Sequence, residues 1–230
     1  MDRIGLAAVA TLALVTCAGA QEPNTLTAAE RAAGWQLLFD GQSLDGWRGY
    51  NREDLPGGWA VEDGALVRVG RGGDIITVEQ FVDFELYLEW KVEPGGNGGV
   101  FYRAAEGQQI IYHSAPEMQI LDDARHRDGR DPLTSAGSNY GLYGAPRGVV
   151  RPAEEWNTSR IVVRGSHVEH WLNGTKVVEY ELGSPEWTGL VRNSKFVEWP
   201  VYGRAERGHI GLQDHGDRTW YRNIKLRELR

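Results

Sequence analysis

The chain has 230 residues, 41% of them apolar and 25% charged, which suits one globular domain and leaves little room for two. A formal net charge of −7 disfavours nucleic-acid binding. The one cysteine, Cys17, lies in the N-terminal apolar segment, so the folded domain has no disulfide, cysteine-nucleophile or thiolate-metal chemistry.

Residues 1–20 read as a secretory signal peptide. Met1-Asp2-Arg3 precedes an apolar run from Ile4 to Val15 that is too short to span a bilayer, and Ala18-x-Ala20 supplies a small-residue cleavage site. Leu14-Val15-Thr16-Cys17 also resembles a bacterial lipobox, which makes a lipid anchor at Cys17 the alternative to cleavage after Ala20. Both readings make the protein an exported one.

Residues 21–34 form a linker with one short helix: Thr27-Ala28-Ala29-Glu30 is a capping box, and Gly34 stops the helix. From residue 35 to 230 turn signals recur at short intervals, among them Asp40-Gly41, Asp63-Gly64, Pro94-Gly95-Gly96 and Asn173-Gly174. Such spacing, with nine Trp, nine Tyr and 30 Gly, predicts an all-β antiparallel sandwich or barrel. The clearest strands are Phe84–Trp90, Gly99–Tyr102, Met118–Leu121, Ile161–Arg164, Val168–Leu172, Thr175–Tyr180 and His209–Gln213. Asn173-Gly174 predicts a type I′ hairpin within a meander from Arg160 to Glu181.

Glu117-Met118-Gln119-Ile120-Leu121-Asp122 alternates polar with apolar residues, so Glu117 and Gln119 share one face while Met118 and Ile120 enter the core. A one-residue bulge after Gln119 would return Asp122 to the side of Glu117. Two carboxylates and an amide on one face, among aromatic residues, suit a polyhydroxylated ligand. The charged run after Asp122 reads as a solvated loop, with Asp122 and His126 candidates for a hard cation or a substrate hydroxyl. His167 and His170 fall on opposite faces of a strand and cannot share an ion.

Gly208–Gly216 places His209, Gly211 and Gln213 on one face. There Gln213 suits sugar hydroxyls and His215 is a residue type that titrates near neutral pH. Lys195, in an aromatic stretch, either reaches to solvent or stabilises an oxyanion, and Arg103 carries a similar ambiguity.

Ten motifs follow one another in a recognisable order. They are Leu37-Leu38-Phe39-Asp40-Gly41 with Leu44-Asp45-Gly46-Trp47, Trp59-x-Val61-x-Asp63-Gly64, Asp83-Phe84-Glu85-Leu86, Gly96-Asn97-Gly98-Gly99-Val100, Glu117-x-Gln119-x-x-Asp122, Glu155-Trp156-Asn157, Leu172-Asn173-Gly174, Ser194-Lys195-Phe196, Gly211-Leu212-Gln213-Asp214-His215-Gly216 and Arg222-Asn223-Ile224. The pattern resembles the bacterial 3-keto-disaccharide hydrolase family. That resemblance implies a concanavalin A-like jelly-roll sandwich over residues 35–230, located in the periplasm or at the cell surface, acting on glycosides already oxidised at C3 by an upstream sugar 3-oxidoreductase. Gly98 stands where serine is expected in much of the family, and His113 lies in a departure from the family pattern.

A C3 ketone acidifies the C2 proton, so a base removes it, an electrophile holds the enolate, and the C1 substituent leaves before water adds back. The resemblance makes Glu117 or His215 the base or acid, and Lys195, Arg103 or a divalent cation the enolate stabiliser. Gln119, Asp122, Gln213 and Asn97 are then binding groups. The rivals are a retaining glycosidase and a non-catalytic carbohydrate-binding module.

Overall fold

The computed structural model describes residues 21–229; the signal peptide expected over residues 1–20, with Cys17, lies outside the described residues. In chain order the first strands are β1 (Gln36–Leu37), β2 (Trp47–Gly49), β3 (Trp59–Glu62), β4 (Ala65–Arg68), β5 (Ile75–Thr77), β6 (Phe84–Val92) and β7 (Asn97–Ala104). They are followed by β8 (Glu117–Leu121), β9 (Asn157–Arg164), β10 (His167–Leu172), β11 (Thr175–Glu181), β12 (His209–Leu212) and β13 (Thr219–Glu228). One sheet runs β11-β10-β9-β6-β13-β4-β3, with β1 also paired to β13, and the other runs β2-β5-β12-β7-β8. This two-layer arrangement is the sandwich among the two forms that the turn spacing allows, and the jelly roll that the resemblance implies.

The period-2 pattern decides what lies between the layers. In β6, Phe84, Leu86, Leu88, Trp90 and Val92 are buried in the main core, and the small sheet answers with Val100, Tyr102, Met118 and Ile120. Each such side chain contributes about 1.5–3 kcal/mol on leaving water. The alternate β6 residues Glu85 and Glu89 face outward into ion pairs with Arg160, Arg227 and Arg222.

Local chemistry sets two further features. Helix α1 (Ala28–Ala32) begins with the reciprocal Thr27–Glu30 capping box, and Gly34 follows it at φ +82°. The β10–β11 hairpin joins Leu172 to Thr175 through Asn173 and Gly174 at φ +48° and +80°, as a type I′ turn requires. The short N-terminal helix is present as expected, and a second helix, α2 (Pro185–Arg192), joins it, capped by the Ser184 hydroxyl with Pro185 in its first turn. Ser-Pro is a helix-start signal, but eight residues carry too little periodicity to reveal the helix against a background of strands.

His170 is fully buried, with Nδ1 bonded to the Gly137 carbonyl at 3.0 Å and Nε2 to the Tyr102 hydroxyl at 2.8 Å. Burial pushes it down to about 4, so it is a neutral core group. His167 points the other way and donates to Glu181 at 2.7 Å, so the two histidines do occupy opposite faces.

Candidate active site

The outer face of the five-stranded sheet gathers most of the polar residues that the sequence singles out. The β7–β8 register pairs Gly99 with Gln119 and Phe101 with Glu117. The β12 register sets Gly211 opposite both Ile76 and Phe101. One cross-strand row is therefore Ile76, Gly211, Phe101 and Glu117. In the next row, the Gln213 N–H donates to the Gly99 carbonyl and the Tyr50 N–H to the Asp74 carbonyl, extending the ladders so that Asp74, Gln213, Gly99 and Gln119 align. Ile76 and Phe101 are covered by Ile111 and Ala115, which closes one half of the face. The polar half forms a recess.

Its floor is buried and short of partners. Glu117 is 6% exposed, Gln119 1% and Asn97 2%, yet Glu117 Oε1, both polar atoms of the Gln119 amide and Asn97 Oδ1 make no hydrogen bond. Gln213 Oε1 is likewise sealed and unpaired. Buried polar atoms almost always find partners, so five orphans on one face mark a place built for a polar ligand. Gly99 shapes the recess: a Cβ there would collide with Glu117 Oε1, so only glycine lets the carboxyl fold over β7. Burial pushes Glu117 up to about 8, with Lys195 opposing and Asp74 reinforcing the rise.

The mouth carries Lys195 and His215. Lys195 opens a single 3₁₀ turn (Lys195–Glu198) capped by Ser194, and its Nζ stands 4.7 Å from the Tyr112 ring centre and 4.6 Å from that of Tyr140. Tyr140 is tied beside Glu117 through its own N–H to the Glu117 carbonyl at 3.1 Å. Partial desolvation lowers the Lys195 ammonium while Glu117 raises it. His215 lies at the exposed rim, with Nε2 3.3 Å from the Asn97 amide, Nδ1 3.5 Å from Asp217, and its ring beside His126. Glu117, Gln119, Asn97, Gln213, Lys195 and His215 are thus brought together.

Two candidates are not. No bulge follows Gln119, because the β7–β8 register runs unbroken to Asn97 opposite Leu121. Asp122 instead closes a turn, accepting from Gly95 N–H at 2.8 Å and Ala124 N–H at 3.1 Å and pairing with Arg125 at 3.2 Å. Arg103 sits where β7 and β12 lose register, at φ +48°, which turns its side chain out of the row. Its guanidinium donates to Val82 and Gly165 carbonyls and to Asp83. It lines a cleft of about 960 Å³ with Trp187, Trp199 and Tyr202. Trp187 stacks with Tyr180 and Tyr202, Tyr202 with Phe196, and Trp199 with His113, so these ring faces are spent on one another.

Position 98 also resolves. A Cβ on Gly98 would meet Thr219 Cγ2 and the Tyr221 hydroxyl at 3.1 Å each, so this position faces the opposite sheet and has no bearing on ligand contacts. His113, 8% exposed, is packed between Trp199, on which it stacks, and the edge of Tyr112.

Asp74 is the residue that sequence reasoning missed. It follows a glycine-rich turn, and its only local signal is its place two residues before Ile76 on the same strand face. Among the described residues, one cluster has metal-ligand geometry: His167, Glu169 and Glu179, on the outer face of the other sheet. Lys176 already neutralises it, 2.5 Å from Glu179 and 3.5 Å from Glu169.

A jelly roll with a buried carboxyl, amides and a lysine in one recess belongs to the class of carbohydrate-active enzymes. The comparisons give the particular family. Residues 34–227 match the family described as the 3-keto-alpha-glucoside-1,2-lyase-like domain. The chain is 38% identical to a 3-keto-disaccharide hydrolase of Bacteroides thetaiotaomicron, over 91% of this chain and 83% of that one. A crystal structure from Parabacteroides distasonis, provisionally described as a glycosyl hydrolase, superposes with a TM-score of 0.85 at 34% identity, covering 91% of this chain and all of the other. The carbohydrate-binding module CBM66 of Bacillus subtilis shares the fold at a TM-score of 0.51 and 14% identity, covering 80% and 96% of the two chains. The chain belongs to the 3-keto-disaccharide hydrolase family and is a glycoside-cleaving hydrolase.

Proposed function

We propose that this enzyme cleaves 3-keto-glycosides by elimination across C1–C2 followed by hydration. The observation that carries the reading is a buried carboxyl, Glu117, and an ammonium, Lys195, that share Tyr140 as a neighbour beside a floor of unpaired amides. A ketone at C3 needs a cation to hold its enolate oxygen, and Lys195 is the cation that leans over the recess. Gln119, Gln213 and Asn97 can each donate and accept, which matches sugar hydroxyls.

A retaining glycosidase on this strand would take Asp122 as its second carboxyl, and Asp122 is spent on its turn. A binding module would have no need of a carboxyl driven toward its neutral form beside a lysine. Export to the periplasm or cell surface rests on the leader sequence and Cys17, and an upstream sugar 3-oxidoreductase follows from the need for a ketone substrate.

The test is leaving-group release from a 3-keto-glucoside and from its unoxidised parent. Turnover of the keto substrate alone is expected. Equal turnover of the parent would show that the ketone plays no part, and turnover of neither would remove the reading.

A further inference from the structure

Elimination needs two proton carriers, and the recess described so far holds one carboxyl. Asp74 and Asp214 are the acidic groups on its far side, and they have different duties. Asp214 is committed: Arg68 binds one oxygen at 2.6 Å, and the Gly72 and Gly73 N–H groups bind the other at 2.9 and 2.8 Å. Asp74 uses only Oδ1, which accepts the Asp214 backbone N–H at 2.8 Å, and Oδ2 makes no hydrogen bond among the described residues. The Asp214 knot thus fixes the Asp74 side chain while leaving one oxygen to the recess.

The sheet sets the separation. Glu117 folds its carboxyl over Gly99 on β7, while Asp74 extends β5, with Gln213 beyond β12 between them. Two strand spacings amount to about 10 Å before the side chains lean. The two carboxyls therefore stand on either side of Gln213 on one sheet face.

We propose, building on the 3-keto reading, that Asp74 is the general base of this site and works across Gln213 from Glu117, which is the general acid. Asp74 takes the C2 proton, and the C2–H electron pair forms the C2=C3 bond of an enolate whose oxygen faces Lys195. The enolate then re-forms the C3 ketone while C1=C2 forms, and the C1–O bond breaks with its electron pair leaving on oxygen, which takes the Glu117 proton. Water then adds to C1, giving a proton to the Glu117 carboxylate, and Asp74 returns its proton to C2. Both residues are restored and the sum is hydrolysis.

The environments support these roles. Asp74 is pushed up to about 6 by burial and by Asp214, so it is largely ionised at neutral pH, while Glu117 at about 8 remains largely protonated. Asp214 acts on Asp74, Lys195 and Asp74 act on Glu117, and Glu117 in turn bears on Tyr102, Tyr140, Tyr202 and Tyr221 around it.

The experiment compares wild type, Asp74→Asn and Glu117→Gln on two 3-keto-glucosides, one releasing 4-nitrophenolate and one an alkyl alcohol, with exchange of the C2 proton into D2O followed by NMR. Glu117→Gln should keep most nitrophenolate release, which needs no acid, and lose about 100-fold or more on the alkyl substrate. Asp74→Asn should lose about 100-fold or more on both, together with C2 exchange. The wild-type kcat/KM profile should be a bell with limbs near 6 and 8, of which Asp74→Asn removes the acidic one. Formate added to Asp74→Ala should restore exchange, which a merely misfolded variant would not allow. Asp74→Asn that turns over and exchanges like wild type overturns the assignment. A wild type inert on both keto substrates overturns the 3-keto reading itself.

Discussion

Replacing Glu117 with glutamine keeps the side-chain shape and deletes the ionisation, which isolates the cost of burying this carboxyl. The folded protein holds the Glu117 proton up to about pH 8, while the unfolded chain releases it near the ordinary value of 4.5. Between those values the native state binds more protons than the unfolded state, so stability falls as pH rises. At about 1.4 kcal/mol per pH unit, the loss is on the order of 2–3 kcal/mol between pH 5 and 7 and grows to roughly 5 kcal/mol above pH 8. For a domain of this size one kcal/mol moves Tm by roughly 2–4 °C. The Tm of Glu117→Gln minus that of wild type should therefore grow by roughly 5–10 °C from pH 5 to 7. Asp74, whose folded value is raised in the same direction, is present in both proteins and largely cancels. Thermal melts at pH 5, 6, 7 and 8.5 measure this difference. Melting curves that shift in parallel with pH would show that Glu117 is ionised in the native protein at neutral pH and refute the burial argument.

Other substitutions probe the same geometry from its supports. Gly99→Ala places a methyl where Glu117 Oε1 now lies, so turnover of the alkyl 3-keto-glucoside should fall about 100-fold while the far-UV spectrum is unchanged; retained activity would mean that the carboxyl need not lie over β7. Lys195→Met preserves the apolar stem and removes the charge, and should lower kcat by roughly 100- to 1,000-fold with little change in KM, read from steady-state kinetics. Arg68→Ala leaves the Asp214 carboxylate, 8% exposed, without its cation, and urea unfolding should register a loss of about 3–5 kcal/mol.

The short-range features were legible because their causes lie within a few residues. Period-2 alternation places Met118 in the core and Glu117 outside it, the Thr27–Glu30 pair starts a helix, and Asn173-Gly174 supplies the two positive φ angles of a hairpin. The same alternation correctly separates His167 from His170. The site was legible where its members share a strand or a motif, as Glu117 with Gln119 does, and as Gln213 and His215 do. Strand identity does not say which strands become neighbours, and that is where sequence reasoning ended.

Asp122 is five residues from Glu117, just past the end of the same strand, and its carboxyl is drawn off by three nearby donors, two backbone N–H groups and Arg125. Asp74 is 43 positions away in sequence and faces Glu117 only because β12 and β7 lie between their strands. Arg103 leaves the recess because of a register slip against β12 that no residue of β7 announces alone. By itself the sequence determined seven of the thirteen described strands with their faces, the hairpin and the family, since each depends on residue order and local backbone preference. The tertiary structure alone decided which carboxyls share a recess, because strand pairing joins distant segments through hydrogen bonds that every backbone offers alike.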